Sequence, residues 1–162
     1  MLGIGMSANQ HFASVPDLAA ARGMLTFDPL EPTFTAGLER EGLRIFIRDH
    51  KLRDVAVSDR SLEAHYGRFV LSQSRKGVDE ARRLALNVSY GRDPREAAIA
   101  GHPARIYELG PEPEPDDIDE RMPSVVTWHD GEMFFLIASG EMPVEELVLI
   151  ALSIYLPPHG ST

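Results

Sequence analysis

The chain of 162 residues contains no cysteine, a single tryptophan, and 16 lysine and arginine residues against 25 aspartate and glutamate residues. The absence of cysteine excludes disulfide bonds and thiolate chemistry. The formal net charge of −9 argues against a nucleic-acid backbone or an anionic membrane surface as a partner. No run of about 18 apolar residues is present, so the sequence predicts no transmembrane segment. Basic or neutral partners are left open.

Motifs that carry catalytic or metal chemistry are also absent. The sequence has no Gly-x-Ser-x-Gly elbow and no His-x-x-x-His pair. The acidic stretch at residues 112–120 lacks the glycine and the ligand spacing of a calcium loop, so we interpret it as a solvated connection. Glu63 and His65 share one side of a predicted strand, but the sequence nominates no nucleophile beside them. We therefore predict a non-enzymatic protein without a metal ion or other cofactor.

The densest apolar stretch, residues 123–158, predicts a β-hairpin followed by a helix. Asp130-Gly131 lies between two runs of strand-forming residues, 124–129 and 132–138, and is typical of the centre of a type I′ turn. We expect this hairpin to be the central feature of the fold.

The register of the hairpin follows by counting outward from the turn, which pairs His129 with Glu132 and Trp128 with Met133. Alternation along the strands then predicts two apolar faces. The first face consists of Val126, Trp128, Met133, Phe135 and Ile137. The second face consists of Val125, Thr127, Phe134, Leu136 and Ala138. Two apolar faces on one ribbon predict strands that are covered on both sides.

The first face is also the candidate surface for an apolar ligand or a protein partner. Aromatic and methionine side chains suit a pocket that tolerates ligands of different shapes. The same side chains suit an ordinary packed core, and the sequence leaves both interpretations open.

The segment after the hairpin has the apolar spacing of a helix. Pro143 suits the first helical position, and Glu145 and Glu146 suit the positive end of the helix dipole. Leu149 and Leu152 widen the apolar arc, so we expect much of this helix to be buried. It should cover one face of the hairpin, and a second helix, another chain or a ligand should cover the other.

Shorter elements are predicted before the hairpin. Residues 1–13 are expected to be disordered, and residues 14–22 to form a helix with Ser14 as its N-cap. Phe34 and Leu38 are expected to anchor the following connector to the core. The other predicted elements are a strand at 43–48, a turn-like segment at 51–60, a strand at 62–74 with a bulge at Gly67, a helix at 78–87, a hairpin of residues 96–100 and 104–109, and a connection at 110–121.

This order of elements predicts an α+β fold with an antiparallel sheet of about six strands and helices packed on one face. The length fits one domain with a sizeable core, which we place at residues 14–158, followed by a tail at 159–162.

Several short motifs follow one another in an order that is typical of one bacterial family. They are the F-x-P-x-x-P segment at 27–32, the strand at 64–74, the turn at 100–104 before Tyr107, the V-T-W-H-D-G motif at 126–131 and the acidic-leucine helix at 145–153. Over roughly residues 14–156, the chain resembles the extracytoplasmic C-terminal domain of bacterial anti-sigma factors and related envelope lipoproteins.

The resemblance implies a curved antiparallel sheet wrapped over helices, similar to bacterial lipoprotein carriers. Such relatives bind acyl chains or a protein partner in the concave face of the sheet, and the family implies no catalytic residue. It also implies a location outside a bacterial membrane. The chain departs from the family context in having no transmembrane segment and no cytoplasmic sigma-binding part, which argues against a regulatory role for this polypeptide alone. Whether it is a piece of a longer, anchored protein is left open by the sequence.

We therefore expect a sensory or binding domain of an envelope-associated regulatory protein, with an apolar ligand or a protein partner on the sheet. One alternative is a structural module that oligomerises through the sheet. Another is a small hydrolase with an unrecognised site.

Overall fold

The computed structural model describes residues 9–75, 92–116 and 121–156. The described strands are β1 (Asn9–Val15), β2 (Gly42–Leu52), β3 (Val55–His65), β4 (Val70–Arg75), β5 (Arg95–Ile99), β6 (His102–Tyr107), β7 (Ser124–Asp130) and β8 (Met133–Ser139). The described helices are α1 (Leu18–Arg22) and α2 (Val144–Ser153). The helix predicted at 78–87 and the tail predicted at 159–162 lie outside the described residues.

These strands form an antiparallel sheet in the order β1-β2-β3-β4-β8-β7-β6-β5. Each half of the sheet is a run of four consecutive strands, and the two halves join where β4 pairs with β8. Ala21 of α1 and Leu147 of α2 belong to the same core cluster, so both helices pack on one face of the sheet. The predicted α+β class with an antiparallel sheet is confirmed, whereas the predicted count of about six strands is too low.

One additional strand comes from the segment that we expected to be disordered. Residues 9–13 lie in β1, which pairs with β2 from Asn9 opposite Asp49 to Val15 opposite Leu43. The prediction was wrong for these residues because β1 has little apolar alternation of its own. Its partner β2 supplies the pairing, and the Phe12 ring lies 5.4 Å from the ring of Phe46.

The other additional strand arises because the predicted strand at 62–74 is two strands. Gly67 has a φ of +80° and lies where the chain reverses, so that His65 at the end of β3 pairs with Val70 at the start of β4. A Cβ at Gly67 would lie 3.0 Å from Oε1 of Glu41. Gly67 therefore permits a tight reversal, and the predicted bulge is not formed.

The segment predicted to be turn-like at 51–60 is also mostly strand. Only Arg53 and Asp54 form the turn, with φ values of 52° and 66°. Positive φ at both central residues is the pattern of a type I′ turn, here without glycine. Lys51, Arg53 and Asp54 are exposed at the tip of a two-stranded ribbon, which is why the composition of the segment resembles that of a loop.

The two predicted hairpins of the second half are both present. In the β5–β6 hairpin, Ile99 pairs with His102 across the turn residues Ala100 and Gly101. Pro103 lies opposite Ala98, next to the Ile99–His102 pair that closes the turn, so Ala98 and Pro103 form a non-hydrogen-bonded pair. On its other side, the pairing of β6 with β7 begins only at Ala104, so the missing N–H of Pro103 costs no ladder hydrogen bond.

In the β7–β8 hairpin, the turn lies one residue later than predicted. Asp130 pairs with Met133, so the central residues are Gly131 and Glu132. Of these two, only Gly131 has a positive φ, of 60°. This is the pattern of a type II′ turn, in which glycine occupies the first central position.

The shifted turn changes the partners in the hairpin but not its faces. Trp128 pairs with Phe135 rather than Met133, and His129 pairs with Phe134 rather than Glu132. The partner of each β7 residue lies two positions further along β8 than predicted. Because side chains alternate between the faces with a period of two, every residue keeps the face predicted for it. The composition of the two faces could therefore be predicted despite an error in the register.

Both faces of the hairpin are covered, as predicted. The first face packs in one cluster with α2, which contributes Val144, Leu147, Ile150 and Ala151. On the second face, Val125, Phe134 and Leu136 are also buried, in a smaller cluster with Tyr107 and Ala138. The hairpin is thus a central, two-sided part of the core.

The helix boundaries differ slightly from the predictions. Asp17, not Ser14, is the N-cap of α1, and its Oδ1 accepts a 2.8 Å hydrogen bond from the backbone N–H of Ala20. Ser14 is unavailable for that role because it pairs with Arg44 in the sheet. Pro143 occupies the N-cap position of α2, and Glu145 and Glu146 lie in the first turn as expected.

We expect Gly131→Ala to lower the free energy of unfolding by about 1–2 kcal/mol, because a positive φ is costly for a residue with a Cβ. The matched control is Gly140→Ala, where a Cβ has no neighbour within 4 Å and φ is not positive. The control should change stability by less than about 0.5 kcal/mol. Urea unfolding midpoints measure both variants, and equal losses would contradict the proposed turn geometry.

Candidate functional site

The five residues that the sequence suggested as a ligand surface lie in the core. Four of them, Val126, Trp128, Phe135 and Ile137, are at most 1% exposed. Met133 is partly buried against the same cluster. The helix α2 occupies the face on which we had expected a ligand, so these residues lie together but form no open surface.

Several large apolar side chains are exposed on the side of α2 that faces away from the sheet, and in the segments next to it. Leu149, Leu152 and Leu156 are 54%, 37% and 59% exposed, and Phe34 of the connector is 42% exposed. Leu149 and Leu152 lie one helical turn apart on α2, and Leu156 follows in the turn just after the last helical residue, Ser153. We call these three side chains the leucine stripe. Our expectation that Leu149 and Leu152 would be buried, and that Phe34 would anchor the connector in the core, was therefore wrong.

Together these side chains line a cleft of about 500 Å³. Its lining residues are Phe34, Ala100, Leu149, Leu152, Ser153, Tyr155 and Leu156. We call this the α2 cleft. None of the lining residues carries a charge, so the α2 cleft can take up only apolar groups in its interior.

The two hydroxyl groups in the lining of the α2 cleft are engaged by the protein itself. The hydroxyl of Ser153 donates a 2.7 Å hydrogen bond to the carbonyl of Ile150, and the Ser153 carbonyl accepts one of 3.0 Å from Thr33. The connector is thereby tied to the end of α2, which places Phe34 beside the leucines.

The second hydroxyl belongs to a hydrogen-bonded chain that runs from the core to the hairpin turn. Nε1 of Trp128 donates to the Tyr155 hydroxyl at 2.9 Å, and this hydroxyl donates to Oδ2 of Asp130 at 3.0 Å. The His102 ring stacks on Tyr155 at 5.5 Å, with its Nε2 3.6 Å from the same Asp130 oxygen. Partial burial, with further contributions from Asp130, raises the pKa of Tyr155 to about 12.

No protein-family model matches the chain, and no curated protein or solved structure is significantly similar to it.

A buried ion pair lies on the other face of the sheet. Glu63 is 1% exposed, and both Nε and Nη2 of Arg44 lie 3.2 Å from its Oε1. Nε2 of His65 lies 3.4 Å from the same oxygen, so Glu63 and His65 do share a side of β3 as predicted. Burial and the charge of Arg44 lower the pKa of His65, so Arg44 rather than His65 balances Glu63 at neutral pH.

A cavity beside this ion pair contains one side-chain hydroxyl among the described residues. The cavity has a volume of about 380 Å³ and lies next to His65, and Ser139 carries the hydroxyl. That hydroxyl donates to the carbonyl of Arg68 at 2.6 Å and accepts from the backbone N–H of Met142 at 2.9 Å. Ser139 therefore braces the backbone and is not placed as a nucleophile activated by His65.

Two further predictions concern metal ions and membranes. Among the described residues, no group of three or more histidine, aspartate and glutamate side chains could hold a metal ion. Glu112, Glu114 and Asp116 of the acidic stretch are exposed, and the rest of its acidic residues lie outside the described part. No described helix has the length and apolar character needed to cross a membrane.

Tyr155 is expected to make the free energy of unfolding decrease at alkaline pH. Its folded-state pKa of about 12 lies above the ordinary value of 10.0, so folding favours the protonated phenol. Its contribution to stability is complete below pH 10 and is lost as the pH rises toward 12. We expect Tyr155→Phe to remove one late phenol transition in an absorbance titration and to flatten the loss of stability over this range.

At neutral pH, the same variant should lower the free energy of unfolding by about 1–3 kcal/mol, because it leaves the buried Trp128 N–H without its acceptor. Asp130→Asn serves as the comparison, since it retains an oxygen that can accept from Tyr155 and should cost less. An unchanged late phenol transition in Tyr155→Phe would contradict the assignment.

Proposed function

We propose that this chain is a non-enzymatic binding domain that takes up apolar side chains of a protein partner in the α2 cleft. The observation that carries the proposal is the exposed leucine stripe beside Phe34, which is formed by Leu149 and Leu152 of α2 and by Leu156 just beyond its end. A contiguous apolar patch of this kind is typical of an interaction site. The proposal moves the binding surface from the sheet, where we first expected it, to the outer side of the helix.

A protein partner fits the α2 cleft better than a free polar ligand. Specific ligand pockets combine an apolar lining with a few polar groups that fix orientation. In the α2 cleft, the hydroxyl groups of Ser153 and Tyr155 already make hydrogen bonds within the protein. A partner helix can present a row of apolar side chains that pack between the side chains of α2. Such a helix is oriented by its shape and needs no polar group in the cleft.

The energy available from the apolar contact is limited. Full burial of a leucine or phenylalanine contributes roughly 1.5–3 kcal/mol, and the four side chains here are already about half buried. Closing the cleft therefore contributes roughly 3–6 kcal/mol, which alone corresponds to weak binding even before the entropic cost of association. A specific complex needs further contacts around the cleft.

The family resemblance supplies the proposed setting. In a bacterial envelope-associated regulatory protein with a lipoprotein-carrier-like sheet, the domain would act as the sensory part, and occupation of the α2 cleft would be the sensed event. This role is supported by the order of motifs from residue 27 to residue 153.

Site-specific photocrosslinking in cells tests the proposed function. A photoreactive amino acid at position 149 should form an adduct with one protein, and the added change Leu152→Asp should abolish that adduct. The matched control places the same amino acid at position 52, because Leu52 is about as exposed but lies at the tip of the β2–β3 ribbon.

Two results would overturn the proposed function. One is equal crosslinking from positions 149 and 52, which would show that the α2 cleft is no preferred site. The other is an adduct formed only between two copies of this chain, which would assign the cleft to self-association. Leu152 is only 37% exposed, so Leu152→Asp is expected to lose some stability, and thermal unfolding must show that the variant is folded at the temperature of the experiment.

A further inference from the structure

The leucine stripe of α2 begins next to an exposed carboxylate. Glu145 precedes Leu149 by one helical turn and so lies on the same side of α2. It is exposed, and no ion pair joins it to another described residue. The sequence of α2 from Val144 to Ser153 contains no lysine or arginine. A cation that approaches this end of the stripe therefore meets an acidic group without a competing base on the helix.

The stripe also ends near carboxylates. Leu156 lines both the α2 cleft and a neighbouring groove of about 540 Å³, whose lining includes Asp28 and Glu31. The Asp28 side chain is 82% exposed and that of Glu31 53% exposed. Each pairs with an arginine, Arg22 or Arg40, and Arg22 also lines the groove. Surface pairs of this type contribute little, so a cation of a partner can compete with the arginine for the carboxylate.

We propose, building on the proposed function, that the occupant of the α2 cleft is a basic amphipathic helix of a partner protein. Its apolar side meets the leucine stripe, and its lysine or arginine residues lie over Glu145 at one end and over Asp28 and Glu31 at the other. The surface from Glu145 to Leu156 covers the described length of α2 and the turn after it, or roughly 16 Å, which a partner helix of about four turns spans.

Charge complementarity favours a basic helix over a second copy of this chain or a membrane surface as the occupant of the α2 cleft. The chain has a formal net charge of −9, so a second copy and an anionic membrane surface are both repelled. A basic helix is instead attracted at long range, and its cations add the contacts that the apolar cleft alone does not provide. The attraction should weaken as salt is raised, because the carboxylates are exposed.

The protein contains its own reporter for occupation of the cleft. Trp128 is the only tryptophan of the chain, and its indole donates a hydrogen bond to Tyr155, which lines the cleft. The experiment uses the full chain and a synthetic helical peptide without tryptophan, with leucines at i, i+4 and i+7 and lysines at both ends. A matched peptide carries glutamate in place of each lysine. Tryptophan emission, with peptide anisotropy as a second readout, gives both affinities.

We expect the lysine peptide to bind about tenfold more tightly than the glutamate peptide at low salt. Glu145→Lys should weaken binding of the lysine peptide about fivefold and strengthen that of the glutamate peptide. Glu112→Lys makes the same change of charge at an exposed position in the acidic stretch and should alter either affinity less than about twofold. Leu149→Asp should abolish binding of both peptides.

The outcomes separate this inference from the proposed function. Equal affinities for the two peptides, or equal effects of Glu145→Lys and Glu112→Lys, with loss of binding in Leu149→Asp, would overturn the basic helix but keep the cleft. Binding that survives Leu149→Asp would overturn both. If neither peptide binds while crosslinking from position 149 persists, the partner segment is not a basic helix and only the inference fails.

Discussion

Neither face of the β7–β8 hairpin can lie in water, and the remaining described elements follow from this constraint. Trp128 and Phe135 stack on one face at 5.0 Å between ring centres, while Phe134 and Leu136 are buried on the other. A ribbon with two apolar faces must sit in the middle of a sheet. The hairpin accordingly has β6 on one side and β4 on the other, and it joins the two four-stranded halves of the sheet.

The same constraint determines which side of α2 is free. The first face of the hairpin requires a cover, and Leu147 and Ile150 provide it, so this side of the helix is committed to the core. A helix that served only as a cover would carry polar residues on its outer side. In α2, Leu149 and Leu152 stand there instead, and no demand of the core explains them. The proposed binding of a partner would account for them.

How much could be predicted from the sequence depends on whether local chemistry or distant partners decide each element. The faces of the hairpin follow from alternation alone and were predicted correctly. The turn itself was not, because its central residues are Gly131 and Glu132 rather than Asp130 and Gly131. The strand β1 could not be predicted, because its pairing depends on β2 some thirty residues away. The α2 cleft could not be predicted either. Periodicity gives the width of an apolar arc, but it does not tell which part of that arc the core covers.

The connection between cleft and core bears on how the domain would bind. Tyr155 lines the α2 cleft, holds the Trp128 indole and bonds to Asp130 at the hairpin turn, while Thr33 ties the connector to the end of α2. Groups held in this way lose little conformational freedom when a partner arrives, so less of a modest apolar contact energy is lost to ordering. A partner that displaced Tyr155 would have to break the bond that satisfies a buried indole. The proposed partner would therefore fill the cleft as it stands, and the exposed carboxylates at its ends would distinguish one candidate partner from another.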